Sequence, residues 1–327
     1  MLLAGDLGGT KTLLGLFRDA QPRPIPVTVR EFATLDQPSL EAMVDRFLAD
    51  AGVRPGSIEA ASVGVAGPIV NQTADLTNVP WQVDGTHLRA RLPHAPVRLL
   101  NDVEAMGYAV ETLTTDEYVE IQRGEAAPDG NAILVTVGTG LGVGFLARAG
   151  GRLIPQPSEG GHADFPARSA RELALTQYVI DRFGRADVER IASGRGLVNI
   201  AAFTHGGRCS RWPRDADDAQ IPALVSSTAL AGACDRCRDA LDLFVDAVGS
   251  VVGNVAIYGV ARAGVFVGGG IPPRILPALQ TGAFLEAFRN KPPMAGLLAA
   301  MPVRIVINPQ AGLLGAAVHA AGEVRKR

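Results

Sequence analysis

The apolar residues of the chain fall mostly in short runs, and glycine-rich turns separate several of them. The first two runs, "MLLAG" and "TLLGLF", flank the turn "DLGGTK". Runs this short beside a glycine-rich turn are typical of strands rather than helices. The pattern predicts a strand, a tight turn and a second strand at the start of the chain.

Segments with apolar residues at helical spacing follow. "SLEAMVDRFLADAG" predicts an amphipathic helix with Ser39 as its N-cap. "ARELALTQYVIDRF" predicts another, which Ser169 and Glu172 open as a capping box. "VRLLND" predicts a buried strand that ends in two polar residues, with a helix over "VEAMGYAVETL" after it. Asn308 and Pro309 predict the start of a last helix.

The opening pattern recurs about one domain length later. "LLAGDLGGTKTLLGLF" and "ILVTVGTGLGVGFLAR" both consist of an apolar run, a Gly/Thr turn and a second apolar run. This similarity indicates a weak internal duplication at the level of supersecondary structure. It predicts an α/β fold with two related domains, each offering a Gly/Thr turn toward a shared cleft.

The first turn is almost a P-loop. Thr10 stands before Lys11, where a P-loop has glycine, and a strand follows where a P-loop opens a helix. Backbone N–H groups at a glycine-rich hairpin tip can still bind an anion. Two such turns facing one another could clamp a polyphosphate, while the alternative is a plain hairpin turn without a ligand.

Composition and charge narrow the functional classes. The chain has 327 residues, 47% hydrophobic and 20% charged, which is ordinary for a globular protein with room for two domains. A net charge of −2 without a long basic stripe disfavours nucleic-acid binding. The apolar start lacks a basic region and meets Asp6, so no signal peptide is predicted.

One apolar segment raises the question of a membrane span. Residues 250–270 are mostly apolar, but they include Asn254 and Arg262 and end in a glycine triplet. An arginine in the middle of a span is costly in lipid. The segment therefore predicts a buried helix followed by a buried strand, and no membrane partner.

Three cysteines occur, Cys209, Cys234 and Cys237, and the last two form one C-x-x-C. No second cysteine pair or histidine pair follows at zinc spacing. The pair is therefore expected to share one face of a helix, without zinc. So few cysteines fit a reducing cytoplasm.

Several motifs together resemble the bacterial ATP-dependent glucokinases, within the superfamily of sugar kinases, actin and heat-shock ATPases. They are, in order, "GDLGGT", "GVAGPI", "LTNVPW", "LLNDVEAMGYA", "VTVGTGLGVGF", "SEGGHADF", "VERIASGRGLVNI", "FVGGGI" and "INPQAGLLGAA". The resemblance covers essentially the whole chain. The related open-reading-frame, kinase and repressor family would add a cysteine motif just after "EGGH", so the chain resembles the zinc-free branch. Lys11 departs from it, since many members carry Asn there.

The resemblance implies a fold and an activity. The fold would be two actin-like ATPase (ribonuclease H-like) domains flanking a deep cleft, with 1–110 plus 308–327 as the small domain and 111–307 as the large one. The activity would be transfer of the γ-phosphoryl group of ATP to the 6-hydroxyl of glucose with Mg²⁺. A cytoplasmic homodimer is expected, with no nucleic-acid or membrane partner.

Asp102 is the candidate catalytic base. It follows the apolar strand "RLL", and α/β folds place ligand-binding groups at such strand ends. The alternative is that Asp102 merely caps the next helix, with Asn101 terminating the strand. By resemblance, Asp102 takes the proton of the sugar hydroxyl, and Asn101 and Asp102 both hydrogen-bond the sugar.

Three further sugar ligands come from the second half of the chain. Glu159 and His162 lie in the glycine-rich "SEGGHADF" and can accept or donate hydrogen bonds to hydroxyls. Glu189 is a sugar contact by resemblance alone. The alternatives are an ordinary polar loop for the first two and a solvated side chain for Glu189.

The predicted nucleotide site is made of glycine-rich segments. By resemblance it comprises Gly5, Asp6, Leu7, Gly8, Gly9, Thr10, Gly138, Thr139, Gly140, Gly268, Gly269 and Gly270. Asp6 would bind Mg²⁺ directly or through water. For the last triplet the alternative is a tight loop before Pro272.

Other functions on the same fold remain open at this point. One is a kinase for another hexose or an amino sugar. Another is a sugar-responsive transcriptional regulator, which would need an N-terminal helix-turn-helix, whereas Met1 leads straight into the first strand. A third is a non-catalytic sugar sensor, against which the intact Asn101–Asp102 pair argues.

Overall fold

The computed structural model of the protein describes residues 1–76 and 79–326. Thr77 and Asn78 of the "LTNVPW" segment lie outside the described residues. The chain divides into two units. Unit 1 comprises Met1–Thr114, Leu153–Pro155 and Asn308–Arg327, and unit 2 comprises Thr115–Arg152 and Gln156–Ile307.

The strands are, in chain order, β1 (Leu2–Leu7), β2 (Lys11–Arg18), β3 (Ile25–Ala33), β4 (Ala60–Val65), β5 (Thr73–Ala74), β6 (Val83–Asp84), β7 (Val97–Asn101), β8 (Tyr118–Gln122), β9 (Ala132–Val137), β10 (Leu141–Ala149), β11 (Arg152–Gln156), β12 (Gly264–Gly268) and β13 (Val303–Val306).

The α-helices are α1 (Leu40–Asp50), α2 (Gly85–Arg91), α3 (Asp102–Ala109), α4 (Ala170–Phe183), α5 (Glu189–Ala192), α6 (Gly194–His205), α7 (Ile221–Leu230), α8 (Asp235–Gly259), α9 (Leu276–Leu279), α10 (Ala283–Arg289), α11 (Ala295–Ala300) and α12 (Ala311–Arg325).

Unit 1 is built on a five-stranded sheet in the order β3-β2-β1-β4-β7. β1 pairs antiparallel with β2 and parallel with β4. Because successive side chains of a strand point to opposite faces of the sheet, β1 contributes side chains to two apolar layers. Leu3 and Leu7 pack with the apolar face of α1, while Leu2 and Ala4 pack with residues of α12 such as Leu313.

A six-stranded sheet ordered β11-β10-β9-β12-β13-β8 repeats this arrangement, and its strands β8, β9, β10, β12 and β13 belong to unit 2. Here β9 takes the place of β1: it pairs antiparallel with β10 and parallel with β12. The predicted internal duplication is therefore a repeat of strand order, to which unit 2 adds β8.

The long helix α8 runs through the core of unit 2 and packs against α6, α7 and α10. It approaches α10 closely because Gly249 and Gly253 face it: a Cβ would lie 2.4 Å from the Phe284 carbonyl oxygen and 2.5 Å from that of Phe288. Among the described helices, α8 alone is long and apolar enough to cross a membrane, but most of it is buried inside the unit. The structure thus confirms the predicted buried helix followed by a strand, here β12.

Helix ends follow the predictions with two differences. The Ser39 side chain caps α1 by accepting from the Ala42 N–H. Ser169 caps α4, but the Glu172 carboxylate accepts from the N–H of Arg168 and also binds its guanidinium, so the capping box is only half formed. The last helix begins later than expected, at Ala311.

Candidate active site

The first glycine-rich turn is the predicted hairpin tip between β1 and β2. Leu7 pairs with Thr12, and the Gly8 N–H donates to the Lys11 carbonyl oxygen at 3.0 Å. A Cβ on Gly9 would meet no atom within 4 Å. The tip is therefore open at Gly9, as a backbone that receives an anion must be.

Asp6 lies near the end of β1 and faces the start of α12. A Cβ on Gly312 would lie 2.7 Å from Asp6 Oδ2, so only glycine leaves room for the carboxylate there. Burial raises the pKa of Asp6 to about 6, and the charge of Asp102 raises it further, against a lowering by Lys11. Within the described residues the carboxylate has no hydrogen-bond partner, which fits a cation-binding group.

Asn101, and not Asp102, caps α3. Its Oδ1 accepts from the Val103 N–H at 2.9 Å, and the Glu104 carboxylate accepts from the Asn101 N–H at 3.3 Å. Its amide also donates to the Gly67 carbonyl oxygen at 3.1 Å. The suggestion that Asp102 is the N-cap is therefore wrong: Asp102 is the first residue of the helix and Asn101 is the N-cap. The Asp102 Oδ1 nevertheless also accepts from the Val103 N–H, at 2.9 Å.

A glycine on β4 determines how closely α3 approaches the sheet. Gly64 pairs with Asp6 of β1, and a Cβ on it would lie 2.8 Å from the Ala105 Cβ and 3.9 Å from the Asp102 Cα. The missing side chain lets the first turn of α3 lie directly on β4. Unit 1 thereby brings Asp6 and Asp102 close enough for their charges to interact.

The second glycine-rich turn joins β9 to β10 in unit 2. The carbonyl oxygens of Gly138 and Thr139 accept from the N–H groups of Gly194 and Arg195, at 2.8 and 3.3 Å. The first turn of α6 thus holds this hairpin tip in place.

Glu189 lies against the same turn. Its Oε2 accepts from the Leu141 N–H at 3.1 Å, and its Oε1 lies 3.3 Å from the Arg195 guanidinium. A Cβ on Gly140 would lie 2.4 Å from Oε2, so a larger residue there would displace the Glu189 carboxylate from its present position. With only 17% of its side chain exposed, Glu189 is not the solvated residue that the sequence left as an alternative.

The "SEGGHADF" loop also packs on this hairpin. A Cβ on Gly161 would lie 2.0 Å from the Leu141 carbonyl oxygen, so the loop and β10 are in close backbone contact. Glu159 and His162 flank this contact and are exposed. Unit 2 therefore brings three of the predicted sugar ligands to the region of Leu141.

The Gly268–Gly270 triplet begins with the last residue of β12 and lies beside the end of β9. Gly269 has φ +94°, and a Cβ on it would lie 2.5 Å from the Val137 carbonyl oxygen. Gly270 has no atom within 4 Å of a Cβ position. The tight-loop interpretation thus explains Gly269, while Gly270 leaves open space next to the second turn.

One cluster was missed in the sequence. His205, Cys209, Cys234 and Cys237 bring their ligand atoms within 4.8 Å of one another. The sequence search considered only partners that follow the C-x-x-C, whereas His205 and Cys209 precede it. The spacing H-x₃-C before C-x₂-C was the available signal.

Comparisons with known proteins agree along the whole chain. The Glucokinase family model matches residues 3–323. A curated glucokinase of Nostoc sp. strain PCC 7120 is 37% identical over 339 aligned residues, covering 98% of this chain and 99% of that protein. A glucokinase of Synechocystis sp. is 35% identical, covering 98% of this chain and 97% of that protein.

Solved structures give the same result. The glucokinase from an Antarctic psychrotroph superposes with a TM-score of 0.85 at 26% identity, covering 98% of both chains. A ROK-family glucokinase from Streptomyces griseus, solved with glucose and AMPPNP, has a TM-score of 0.62 at 22% identity over 98% of this chain and 99% of that one, which shows the fold alone. The predicted α/β fold of actin-like ATPase type is confirmed. The chain belongs to the glucokinase family.

Proposed function

We propose that this chain transfers the γ-phosphoryl group of ATP to the 6-hydroxyl of glucose, giving glucose 6-phosphate and ADP. The observation that carries the proposal is the pair of carboxylates in unit 1. Asp6 and Asp102 interact electrostatically beside an open glycine-rich hairpin tip, in a chain that matches the glucokinase family over residues 3–323. Phosphoryl transfer to an alcohol needs a proton acceptor, a metal ligand and a phosphate-binding backbone.

Asp102 is the proposed general base. Its carboxylate would accept the proton of the attacking sugar hydroxyl, which is a poor nucleophile until that proton begins to leave. Besides its proposed contact with the sugar, Asn101 positions Asp102 in this scheme, because its Oδ1 caps α3 and its amide donates to the Gly67 carbonyl oxygen. The cap fixes the backbone from which Asp102 projects.

Asp6 is the proposed ligand for Mg²⁺, directly or through water. A partly buried carboxylate beside a second carboxylate is held unfavourably until a cation neutralises it, and Mg²⁺ prefers oxygen ligands. When bound, the ion would neutralise charge on the phosphates. Backbone N–H groups of Gly8, Gly9 and Thr10 and of the Gly138–Gly140 turn would hold the phosphates of ATP, with Gly268–Gly270 beside the nucleotide.

Glu159, His162 and Glu189 are the proposed sugar ligands from unit 2, with Asn101 and Asp102 from unit 1. A pocket that pairs each hydroxyl with a polar group rejects deoxy analogues, because the unpaired groups are then left without a partner. Glu189 has a second role, since it also binds the Leu141 N–H of the phosphate turn.

We further propose that units 1 and 2 are the small and large domains of the enzyme, and that it acts as a cytoplasmic homodimer. The resemblance to bacterial glucokinases supports the assembly state. Light scattering on the purified chain tests it: a monomeric mass at micromolar concentration would rule out the dimer.

The reaction is tested with a panel of sugars and coupled detection of ADP. Glucose is expected to have the highest kcat/KM among glucose, mannose, fructose and N-acetylated amino sugars, and ³¹P NMR should show a 6-phosphate. A higher kcat/KM for another sugar would reassign the substrate, and sugar binding without ADP release would indicate a sensor.

A further inference from the structure

We propose that His205, Cys209, Cys234 and Cys237 form a structural zinc site in unit 2. The four residues are called the Cys₃His cluster below. Neither the phosphate turns nor the proposed sugar ligands involve this cluster. His205 is the last residue of α6 and Gly194 is the first, so the cluster lies at the other end of that helix from the Gly138 contact, about 16 Å along its axis.

The distances match those of a tetrahedral zinc site. The sulfur of Cys209 lies 3.8 Å from that of Cys234 and 3.9 Å from that of Cys237. His205 Nε2 lies 3.7 Å from the Cys234 sulfur and 3.6 Å from the Cys237 sulfur. With Zn–S near 2.3 Å and Zn–N near 2.0–2.1 Å, a regular tetrahedron has S–S edges of about 3.8 Å and S–N edges of about 3.5–3.6 Å.

These distances argue against the two alternatives. A disulfide requires sulfur atoms about 2.0 Å apart, so the cysteines are not bonded to one another. Free cysteines that only fill a core need no common centre. Here three sulfur atoms and one ring nitrogen lie within 4.8 Å of one another, and Cys209 and Cys237 are buried.

The histidine is oriented as a zinc ligand. His205 Nδ1 lies 2.8 Å from the Ala201 carbonyl oxygen, which can only accept, so the proton is on Nδ1. The Nε2 lone pair then points to the sulfur atoms. Metal-binding histidines usually donate their other ring N–H to an oxygen in this manner.

Further hydrogen bonds link the segment that carries His205 to the segment that carries Cys234 and Cys237. The Arg236 guanidinium donates to the His205 carbonyl oxygen at 2.7 Å, and Thr204 Oγ1 donates to the Arg236 carbonyl oxygen at 3.2 Å. The Trp212 ring packs on His205 at 5.5 Å between centroids. Arg236 also brings positive charge to a site whose three thiolates and neutral histidine would leave Zn²⁺ with a net charge of −1.

The local chain explains what the metal would do. Residues 206–220 contain only turns and bends, a long irregular connection between α6 and α7. Gly206 and Gly207 have φ of +63° and +153°, which turns the chain back so that Cys209 reaches His205. Zinc would fasten this segment to the end of α6 and the start of α8. Four protein ligands leave no open position, which is typical of a structural rather than a catalytic site.

The site also differs from the one that the resemblance excluded. A cysteine motif just after "EGGH" is absent, whereas the ligands here begin at His205, after α6. The expected lack of zinc was based on that earlier position and on the absence of a second cysteine or histidine pair after the C-x-x-C, whereas His205 and Cys209 precede it.

The test is the metal content of the full-length protein, purified under reducing conditions with a removable tag that contains no histidine. We expect close to one zinc per chain by mass spectrometry of the metal. Reduced apo-protein should take up one Co²⁺ with the intense visible bands of tetrahedral coordination and sulfur-to-cobalt charge transfer. Wild-type protein that is zinc-free and binds neither metal stoichiometrically would overturn the proposal, as would iron in place of zinc.

Variants assign the ligands. Cys234→Ser and His205→Gln should each weaken zinc binding by more than about 100-fold. Loss of a residue that only supports a metal ligand costs at most about 100-fold, so a larger effect identifies a ligand. The matched control is His87→Gln, an exposed histidine of α2 that should leave the metal content at one. His205→Cys should retain the metal and add a fourth sulfur to the cobalt charge-transfer spectrum. Equal zinc in His205→Gln and His87→Gln would remove the histidine from the site.

The wild-type protein provides a measurement that does not depend on variants that fold. Removal of zinc by a chelator should lower the melting temperature and raise protease cleavage within residues 206–220, and added zinc should reverse both effects. Unchanged melting and cleavage after proven zinc loss would contradict the structural role.

Discussion

At the scale of single residues, the assignment of the α3 cap to Asn101 sharpens the test of Asp102. Asp102→Asn keeps the shape of the side chain but cannot accept a proton. We expect kcat to fall by at least ~10²–10⁴, the usual value of general-base assistance, with glucose affinity changed much less. Steady-state kinetics and isothermal titration with glucose measure the two effects separately.

The neighbouring cap supplies the control. Asn101→Ala should cost about 1 kcal/mol of unfolding free energy. It removes one of the two acceptors of the Val103 N–H, leaving Asp102 Oδ1, and it also removes the donor to the Gly67 carbonyl oxygen. Asp102→Asn should leave the melting temperature nearly unchanged. A kcat close to wild type in Asp102→Asn would remove Asp102 from the mechanism.

The ionised carboxylate of Asp6 is expected to lower the free energy of unfolding while it supports catalysis. Because its pKa in the folded protein is raised to about 6, its stabilising contribution is fully present below pH ~4 and is lost as the pH rises through 6. At pH 8 the ionised form costs on the order of 3 kcal/mol without a cation. Asp6→Asn should therefore raise the melting temperature in Mg²⁺-free buffer at pH 8.

The same substitution should lower activity with MgATP by about 100-fold or more, because it removes a metal-binding charge. Calorimetry and kinetics at one pH measure both changes. A destabilised Asp6→Asn that keeps full activity would show that the carboxylate has a structural role instead.

Residue types and spacing allowed the sequence to identify Asp102 as a candidate but not to separate it from Asn101. Both residues are good N-caps and both follow the same apolar strand. The Val103 N–H donates to both side chains, so what separates them is that the helix begins at Asp102, after Asn101 as N-cap. Where α3 begins depends on how it packs on β4, at Gly64 and Ala105. Such tertiary contacts leave no local signal.

At the scale of elements, the two glycine-rich hairpins use their glycines differently. Gly9 has open space around its Cβ position, so Gly9→Ala should fold normally. It should nevertheless weaken ATP binding by about tenfold or more, because the added methyl group would occupy the space through which a phosphate oxygen approaches the backbone N–H groups. A charge-assisted hydrogen bond lost in this way is worth about 1.5–3 kcal/mol. Titration calorimetry with MgATP and a melting curve measure both properties.

Gly56→Ala is the matched control for Gly9→Ala. Its Cβ position is equally open, and it lies in the short turn Pro55–Ser57 of the same unit. This variant should bind ATP as the wild type does. If Gly9→Ala also bound ATP normally, the phosphate-binding interpretation of the first hairpin would be wrong.

Helix α12 carries a histidine that should make unit 1 sensitive to acid. His319 Nδ1 lies 2.8 Å from Ser62 Oγ of β4, and the His319 ring meets Tyr108 edge-on. Burial lowers the pKa of His319 to about 4, despite the opposing charge of Glu323. The unfolded chain then binds a proton first, so stability should be lost as the pH falls from about 6.5 to 4.

His319→Gln tests this because it removes the titration and keeps a polar partner for Ser62. The loss of unfolding free energy between pH 7 and pH 5 should shrink by on the order of 1 kcal/mol relative to wild type. His87→Gln, which changes an exposed histidine, should show the wild-type loss. Identical acid sensitivity in all three proteins would count against the assignment.

Periodicity predicted the elements that have strong local signals. Glycine-rich turns between apolar runs gave both hairpins, and Ser39 and Ser169 marked two helix starts correctly. The Cys₃His cluster was missed because its two pairs lie on different elements. The segments HGGRC (205–209) and CDRC (234–237) come together only because the end of α6 packs against the start of α8.

At the scale of the whole molecule, the fold class was predictable because the same order of elements occurs twice. The repeated run–turn–run pattern implied two related units, and the two sheets share one strand order. Which residues of neighbouring strands pair with one another was not predictable in detail. The detailed packing of the strands depends on close approaches such as those at Gly64 and Gly161, where a neighbour rather than the local sequence decides that no side chain fits.

Unit 1 is built from segments near both ends of the chain, and this has a consequence for its synthesis on the ribosome. Its helix α12 is encoded after all of unit 2, yet it covers Leu2, Ala4 and Phe17 of the first hairpin. At Gly315 it lies so close to α3 that a Cβ would be 1.7 Å from the Ala105 carbonyl oxygen. The nascent chain must therefore keep one face of its first sheet uncovered until translation of that helix ends. Unit 2 can close as soon as residue 307 has emerged, and a stop codon before residue 311 would leave unit 1 permanently open to chaperones and proteases.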